Sequence, residues 1–271
     1  MKNSLATAIS QTDNLNEFFT VRGGEPLEGE IRLAGAKNAA TKMTVASLLT
    51  HEEIILKNFP QIGDTAITIQ LCKTLGSEAT VRGSTLRIKT PQIKNVQVTS
   101  LSRRNRIPIL AIGPLLVRAG EARIPIVGGD QIGPRPVDMH LKSLEALGAE
   151  IITERNYYRA LAPHGLHGTN VNLRYPSVGA TENTILAAVL AKGKTVIENA
   201  AVEPEVIDLR NLAFANQTDI LAYPFAIRHK YSPSQLRKAN KKWGETDSGA
   251  TIDIEGLIAL AKKEGDKEIE V

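Results

Sequence analysis

Two short segments of the chain combine residue types that bind and protonate small anionic molecules. Residues 127–138, VGGDQIGPRPVD, place a carboxylate, a guanidinium and several glycines between two regularly patterned segments. Glycine lets the backbone come close to a ligand, and the prolines restrict the loop to few conformations. Residues 35–40, GAKNAA, place a lysine among small residues where a strand is expected to turn into a helix. Together the two segments predict a site for an anionic, phosphorylated substrate.

The elements that must position these segments follow from an internal repeat. Residues 64–88 and 138–162 each predict a helix, a strand, a turn and a second strand. Both helices end in Leu-Gly, at Gly76 and Gly148, and a glycine after the last apolar residue is what a left-handed C-cap requires. The unit therefore repeats after about 70 residues.

A second recurring pattern precedes each of these copies. Residues 40–49 and 180–190 both begin with Ala-Thr and are small or apolar on most faces, and residues 107–117 are the middle copy. Such helices are typical of a protein interior. The pattern predicts an α/β (α+β) fold, a pseudo-threefold repeat of α/β units with buried helices covered by sheets. A solenoid of the same period is the alternative, but three units with small-residue helices favour a closed domain.

The third copy is incomplete in the sequence. Residues 207–209 begin a helix pattern, but no Leu-Gly pair stands near position 220, and the pattern is lost from about Asn211. We therefore predict a polar extension at 1–18, a repeat domain at 19–209 and a basic tail at 210–271. The tail would consist of a polar linker and a short helix near residues 252–263.

Composition excludes several classes of protein. A net charge of +4 and an aromatic content of 4% argue against nucleic-acid binding. The single cysteine, Cys72, excludes an internal disulfide framework, fits a reducing compartment and lies in an apolar pattern that predicts a core position. The N-terminus lacks a leader pattern, and the longest apolar run, residues 107–117, is shorter than the ~20 residues of a membrane span. We expect a soluble, cytoplasmic protein.

The ordered motifs resemble the UDP-N-acetylglucosamine 1-carboxyvinyltransferase family of enolpyruvyl transferases, from about Phe19 to Leu209. No single motif is specific enough to identify the family, but so many short matches in the same order are. Asn38 favours this family over its sister, 5-enolpyruvylshikimate-3-phosphate synthase, which typically carries serine there. The matching segments are VRGG (21–24), LEG (27–29), GAKNAA (35–40), GPL (113–115), VGG (127–129), RPVDMH (135–140), LGAE (147–150), SVGAT (177–181) and ENAA (198–201).

The resemblance implies a fold and a reaction. Members of the family transfer the enolpyruvyl group of phosphoenolpyruvate to the 3′-hydroxyl of UDP-N-acetylglucosamine and release phosphate, which begins peptidoglycan synthesis and so serves cell shape and division. Their fold has two similar domains of three α/β units each, with the active site in the cleft between them. The motifs here cover one such domain, so we expect the second to be missing or supplied by self-association or another chain. The resemblance implies no cofactor and no metal.

The resemblance also implies roles for individual residues. Asp130 occupies the position of the general acid that protonates C3 of the enolpyruvyl group, where many members carry cysteine. Because a carboxylate is not alkylated by an epoxide as a thiolate is, Asp130 predicts insensitivity to fosfomycin. Phosphoenolpyruvate would be bound by Lys37, Asn38 and Arg135. The UDP-sugar would be bound by Arg106, Arg135, Pro136, Val137, Asp138, Met139, Ser177 and Val178.

Several of these residues have structural alternatives. Lys37 could be a solvated surface lysine, and Asp130 could simply form a turn. Asn38 and Asp138 could be helix N-caps. The arginines near the middle helix could form a solvated basic face; they are Arg103, Arg104, Arg106 and Arg118. Tyr175 and Pro176 depart from the lysine-containing pattern usual in the family, which leaves one phosphate contact open.

Three functions remain open on the sequence. The first is an enolpyruvyl transferase or a fragment of one, favoured by the ordered motifs. The second is a UDP-sugar-binding module without catalysis, favoured by the missing second domain. The third is a scaffold whose lysine-rich tail contacts a partner or an anionic surface, although such tails are usually only solvated.

Overall fold

A computed structural model of the protein describes residues 29–31, 33–98, 106–126, 136–215, 250–252 and 268–270. The chain divides into two compact units, Met1–Leu33 and Ala34–Val271. The described residues of the first unit contain no helix or strand. Every helix and strand given below belongs to the second unit.

The first repeat begins with a buried helix and ends with a hairpin. Its outer helix ends at Gly76, whose φ of 124° is accessible to glycine but strained for other residues. Strand β1 pairs antiparallel with β3, and β3 pairs antiparallel with β2. This confirms the helix, strand, turn and strand predicted for residues 64–88. The elements are α1 (Lys37–Ala46), a 3-10 turn (Ser47–Leu49), β1 (Glu53–Lys57), α2 (Gly63–Leu75), β2 (Glu78–Arg82) and β3 (Thr85–Lys89).

The second repeat has the same order of α-helices and strands, and its three strands pair as β1, β3 and β2 do, but its 3-10 helix precedes the buried α-helix. Strand β4 pairs with β6, and β6 with β5, both antiparallel. Gly148 follows the outer helix with a φ of 97°, as the Leu-Gly pattern predicts. The elements are a 3-10 helix (Ile107–Ala111), α3 (Ile112–Ala119), β4 (Glu121–Pro125), α4 (Asp138–Ala146), β5 (Glu150–Thr153) and β6 (Tyr157–Leu161).

The third repeat continues beyond the point where the sequence pattern is lost. Helix α6 runs through Asn211 to Ala215, and β9 pairs antiparallel with β8, as β3 does with β1 and β6 with β4. Strand β10 pairs parallel with β1. The boundary predicted at residue 209 stays a prediction, and of the predicted helix at 252–263 only Ile252, in β9, is described. The elements are β7 (Asn170–Asn172), α5 (Val178–Ala188), β8 (Val196–Ala200), α6 (Pro204–Ala215), β9 (Ala250–Ile252) and β10 (Glu268–Glu270).

The core helices α1 and α5 repeat each other down to single hydrogen bonds. The hydroxyls of Thr41 and Thr181 donate to the carbonyls of Lys37 and Ser177, at 3.1 and 2.8 Å. One turn later, Thr44 and Thr184 donate to the carbonyls of Ala40 and Ala180, both at 2.7 Å. Because threonine satisfies its hydroxyl on its own helix, it can be buried without another partner. The shared pattern confirms that the two segments are copies of one element.

The interior is formed by these core helices and the inner faces of the sheets. Most residues of α1, α3 and α5 beyond the exposed helix ends are buried, and α3 packs directly on α5. Cys72 is fully buried, as predicted, and burial raises the pKa of its thiol to about 12. Among the described residues, none of the helices has the length and apolar character that crossing a membrane requires.

Arg118 is a structural residue rather than part of a solvated basic face. Its guanidinium donates to the carbonyls of Leu48, Thr50 and Thr90 at 3.0–3.1 Å, and burial lowers its pKa. The side chain thus satisfies carbonyls where the first 3-10 turn ends. Of the other arginines grouped with it, Arg103 and Arg104 lie outside the described residues.

The close contact between α3 and α5 depends on Gly113. A Cβ at this position would lie 2.8 Å from the amide nitrogen of Ala187, inside the van der Waals limit of a backbone atom that cannot move away. We therefore expect Gly113→Ala to lower the free energy of unfolding by about 1–3 kcal/mol. Gly63→Ala, in a helix with open space around the new methyl group, is the matched control. Equal urea midpoints for both variants would contradict the packing argument.

Candidate active site

Two of the three residues predicted to bind phosphoenolpyruvate, Lys37 and Asn38, lie at the exposed start of α1. The preceding residue, Ala36, provides no side-chain cap, so the first N–H groups of the helix remain available to an anion. The Lys37 ammonium lies 2.8 Å from a carboxylate oxygen of Asp64, and the Asn38 amide donates to Glu205 at 3.2 Å. The structural alternatives considered for these two residues are wrong: Lys37 is paired rather than only solvated, and Asn38 is not an N-cap.

Two of the residues predicted to bind the UDP-sugar, Ser177 and Val178, lie at the start of α5. Ser177 is the N-cap of this helix, and its hydroxyl accepts a hydrogen bond from the Ala180 amide at 3.4 Å. Just before it, the Arg174 guanidinium lies 3.4 Å from a carboxylate oxygen of Asp138. The same guanidinium lies 5.8 Å from the centre of the Tyr175 ring. Sequence reasoning noted Tyr175 but missed the arginine beside it, whose only signal was its charge.

Asp138 is the first residue of α4 rather than its N-cap. The N-cap is Val137, and no side chain caps this helix, so the capping role considered for Asp138 is wrong. Its carboxylate instead pairs with Arg174, and its other oxygen is buried with no hydrogen-bond partner in the part of the chain that the structure describes. Pro136 is exposed and Met139 is buried. An unsatisfied buried carboxylate oxygen at a helix start is able to accept a hydrogen bond from a ligand.

His140 lies within the electrostatic influence of Arg106 and packs against the start of α5. A Cβ on Gly179 would lie 3.0 Å from the His140 ring, so imidazole and helix are in close contact. Burial and, to a smaller extent, the positive charge of Arg106 lower the pKa of His140 to about 4, against the opposing effect of the Asp138 charge. His140 is therefore neutral near pH 7, with Arg106 and Asp138 both close to it.

A buried ion pair lies about one and a half turns below the two helix starts. The Lys42 ammonium of α1 lies 3.6 Å from a carboxylate oxygen of Glu182 on α5, and Glu182 is fully buried. Burial raises the pKa of Glu182 to about 7; Lys42 lowers it, and Glu205 and Glu203 raise it. Sequence reasoning missed this pair, although a charged residue within each small, apolar helix pattern was the available signal.

The structure thus places most of the predicted site residues in two groups. Lys37 and Asn38 lie at the start of α1, each held by a carboxylate from a neighbouring helix. The second group surrounds Asp138 and His140 and consists of Arg106, Pro136, Val137, Asp138, Met139, Ser177 and Val178. Asp130 and Arg135 lie outside the described residues, so their roles stay predictions. Each group combines a cation with the start of a helix, which is an arrangement suited to phosphate or carboxylate.

Nothing in the described part of the chain forms a metal site of three or more His, Cys, Asp or Glu side chains. The expectation that the site works without metal or cofactor stays a prediction.

Known proteins resemble both the sequence and the fold. The family model described as EPSP synthase (3-phosphoshikimate 1-carboxyvinyltransferase) matches residues 21–217. UDP-N-acetylglucosamine 1-carboxyvinyltransferase of Chlamydia abortus is 49% identical over 193 residues, covering 70% of this chain and 44% of that protein. UDP-N-acetylglucosamine 1-carboxyvinyltransferase 1 of Symbiobacterium thermophilum is 40% identical over 263 residues, covering 90% of this chain and 59% of that protein.

The fold agrees with these sequence matches. The enolpyruvyl transferase NikO from Streptomyces tendae superposes with a TM-score of 0.61 at 20% identity, covering 70% of this chain and 46% of that one. The chain therefore belongs to the enolpyruvyl transferase family, and both the resemblance and the α/β fold class are confirmed. It spans 44% and 59% of the length of the two curated relatives named above.

Glu182 and His140 make the stability of the folded chain depend on pH in opposite directions. The raised pKa of Glu182 gives a stabilisation that is complete below its usual value of 4.5 and is lost as pH rises through about 7. The lowered pKa of His140 gives a stabilisation that is complete above its usual value of 6.5 and is lost as pH falls through about 4. Between pH 4.5 and 6.5 the two contributions oppose each other.

Single substitutions should reveal each slope. Without the Glu182 contribution, Glu182→Gln should show an unfolding free energy that rises with pH across this window. For His140→Gln it should fall. The free energy of unfolding should change by about 1.4 kcal/mol per pH unit, which amounts to about 3 kcal/mol over the full difference between the usual and the shifted pKa. Urea unfolding at several pH values between 4.5 and 6.5 measures both slopes. If both variants keep the pH dependence of the unsubstituted chain, the assignment of these two groups is wrong.

Proposed function

We propose that this chain forms one wall of an active site that transfers the enolpyruvyl group of phosphoenolpyruvate to the 3′-hydroxyl of UDP-N-acetylglucosamine, in the cytoplasm, as the first step of peptidoglycan synthesis. The observation that carries the proposal is the position of Lys37 and Asn38, side by side at the uncapped start of α1. A relative named for this reaction, 49% identical over 193 residues, supports it.

Lys37 would bind phosphoenolpyruvate by exchanging one anion for another. In the free protein its ammonium pairs with Asp64 at 2.8 Å. An incoming phosphate or carboxylate would take that place, assisted by the free N–H groups at the start of α1. Asn38, held by Glu205, would orient the ligand, and Arg135 would provide a bidentate contact.

Asp130 would supply the proton that the chemistry needs. Protonation of C3 of phosphoenolpyruvate makes C2 electrophilic, so the 3′-oxygen of the sugar forms a bond to C2 and its proton passes to a general base, which in the family comes from the second domain. Departure of phosphate from C2 and return of the C3 proton to Asp130 restore the double bond in the product. A general acid of this kind contributes about 10²- to 10⁴-fold to the rate.

Phosphate release tests this proposal. The purified chain is incubated with both substrates and with each substrate alone, and we expect release only when both are present. Asp130→Ala and Lys37→Met should each lower the rate at least about 100-fold, since they remove the acid and an anion contact. The exposed Lys89→Met is the control for loss of a lysine. The rate should be insensitive to fosfomycin, and a covalent adduct at Asp130 would contradict the assignment.

The alternative function is a UDP-sugar-binding fragment without catalysis. It is favoured by the share of the relatives that the chain spans, 44% in the first of them. A folded chain that binds UDP-N-acetylglucosamine but releases no phosphate would establish this alternative and contradict catalysis by the chain alone.

The nucleotide would lie along Pro136–Met139 and the start of α5. Arg174 would then supply the cation that the family pattern leads one to expect at Tyr175, since its guanidinium is adjacent, exposed and paired with Asp138. Guanidinium is suited to bidentate binding of a diphosphate.

Arg174→Met should therefore weaken the affinity for UDP-N-acetylglucosamine by about 10- to 100-fold, the loss expected for one charged hydrogen bond. Isothermal titration calorimetry measures this change. Arg82→Met removes an exposed arginine from β2 and serves as the control. If both variants bind with the same affinity as the unsubstituted chain, Arg174 is only a surface residue.

A further inference from the structure

The buried pair of Lys42 and Glu182 occupies the same position in two copies of the repeat. Lys42 is the third residue of the segment that begins Ala40-Thr41, and Glu182 is the third residue of the segment that begins Ala180-Thr181. The pair therefore joins equivalent points of α1 and α5, rather than two unrelated surfaces. The flanking threonine hydrogen bonds are repeated as well.

The pair also lies at a fixed distance from the two predicted ligand sites. Lys42 follows Lys37 by five residues, and Glu182 follows Ser177 by five residues. Five residues rise about 7 Å along a helix, so the pair lies one and a half turns below both helix starts. Helix α6 belongs to the same group, because Glu205 accepts the hydrogen bond from Asn38 and its charge reaches Glu182.

Stability does not explain this pair. Taking two charges out of water costs several kcal/mol, and apolar residues of similar volume often replace a buried pair without loss. Among the described residues, the Glu182 carboxylate makes no hydrogen bond within 3.5 Å and the buried amide of the neighbouring Asn183 has no partner. Buried ion pairs of this kind are best documented as devices that fix the register of packed helices.

We infer that Lys42 and Glu182 are positioning residues that fix the register of α1 against α5, and thereby the distance between the Lys37–Asn38 site and the Ser177–Val178 site. The choice of ligands in the test rests on the proposed function, whereas the register itself does not. The remaining charges that face Glu182 are those of Glu203 and Glu205 at the start of α6.

Two double substitutions separate positioning from stability. Lys42→Met with Glu182→Met removes both charges and keeps an apolar core. Lys42→Glu with Glu182→Lys exchanges the charges, and a lysine at 182 would meet Glu203 and Glu205 favourably. Arg123→Met with Glu154→Met removes a half-buried ion pair of the second sheet and is the matched control.

Amide hydrogen exchange of residues 40–43 and 181–184, whose amides are the first to be bonded within α1 and α5, is the first measurement, because it needs no ligand. We expect the double methionine variant to unfold at the same urea concentration as the unsubstituted chain, yet to exchange about 5- to 100-fold faster in these two turns. The charge-exchanged variant should restore slow exchange, and the control should not change it. Equal exchange in the unsubstituted chain and the double methionine variant would overturn the inference.

Binding of UDP-N-acetylglucosamine is the second measurement. If the unsubstituted chain binds, the double methionine variant should bind about 10-fold more weakly and the charge-exchanged variant within about 2-fold of the original. Equal affinity in the double methionine variant would count against positioning. Failure of the unsubstituted chain to bind would overturn the proposed function instead, and the hydrogen-exchange result would still decide the role of the pair.

Discussion

The structure depends on one constraint: its helices approach each other closely at glycine residues, where a side chain would not fit. A Cβ on Gly113 would collide with the backbone of Ala187, and a Cβ on Gly179 would press on the His140 ring. Helices that approach so closely have little freedom to rotate or slide. Helix α5, which carries Ser177 and Val178 at its start, is therefore held against α3 and α4 by packing beneath the surface.

Electrostatics at the helix starts follows from the same architecture. Acidic residues are favoured in the first turn of a helix because they oppose its partial positive charge. The outer helices α2 and α4 each carry one there, Asp64 and Asp138, and these carboxylates meet Lys37 and Arg174 at 2.8 and 3.4 Å. The two cations are thus oriented but neutralised in the free protein. The free energy of binding an anionic ligand is therefore only the difference between the new ion pair and the one that it replaces.

Local signals predicted the fold wherever they were complete. Leu-Gly at the end of α2 and α4 predicted the C-caps, the hairpins that follow and the repeat period. The third unit lacks that signal. Helix α6 ends at Ala215, and the next described strand, β9, begins only at Ala250. The pairing of β9 with β8 therefore could not be predicted from neighbouring residues. The pairs Lys42–Glu182 and Arg174–Asp138 join positions far apart in the chain, and a single sequence shows the charges but not which of them meet.

Solvent exposure limits how strongly the two predicted ligand sites attract anions when no second domain covers them. The side chains of Lys37 and Arg174 are 56% and 64% exposed, so water and salt screen their attraction for an anion. Enolpyruvyl transfer needs a general acid and two anionic ligands in a site from which water is excluded, because electrostatic stabilisation is strong only at low dielectric. Under the proposed function, efficient turnover would therefore require a second surface to close over the starts of α1 and α5. Binding of the UDP-sugar needs only the existing contacts, so binding would persist without catalysis wherever that cover is missing.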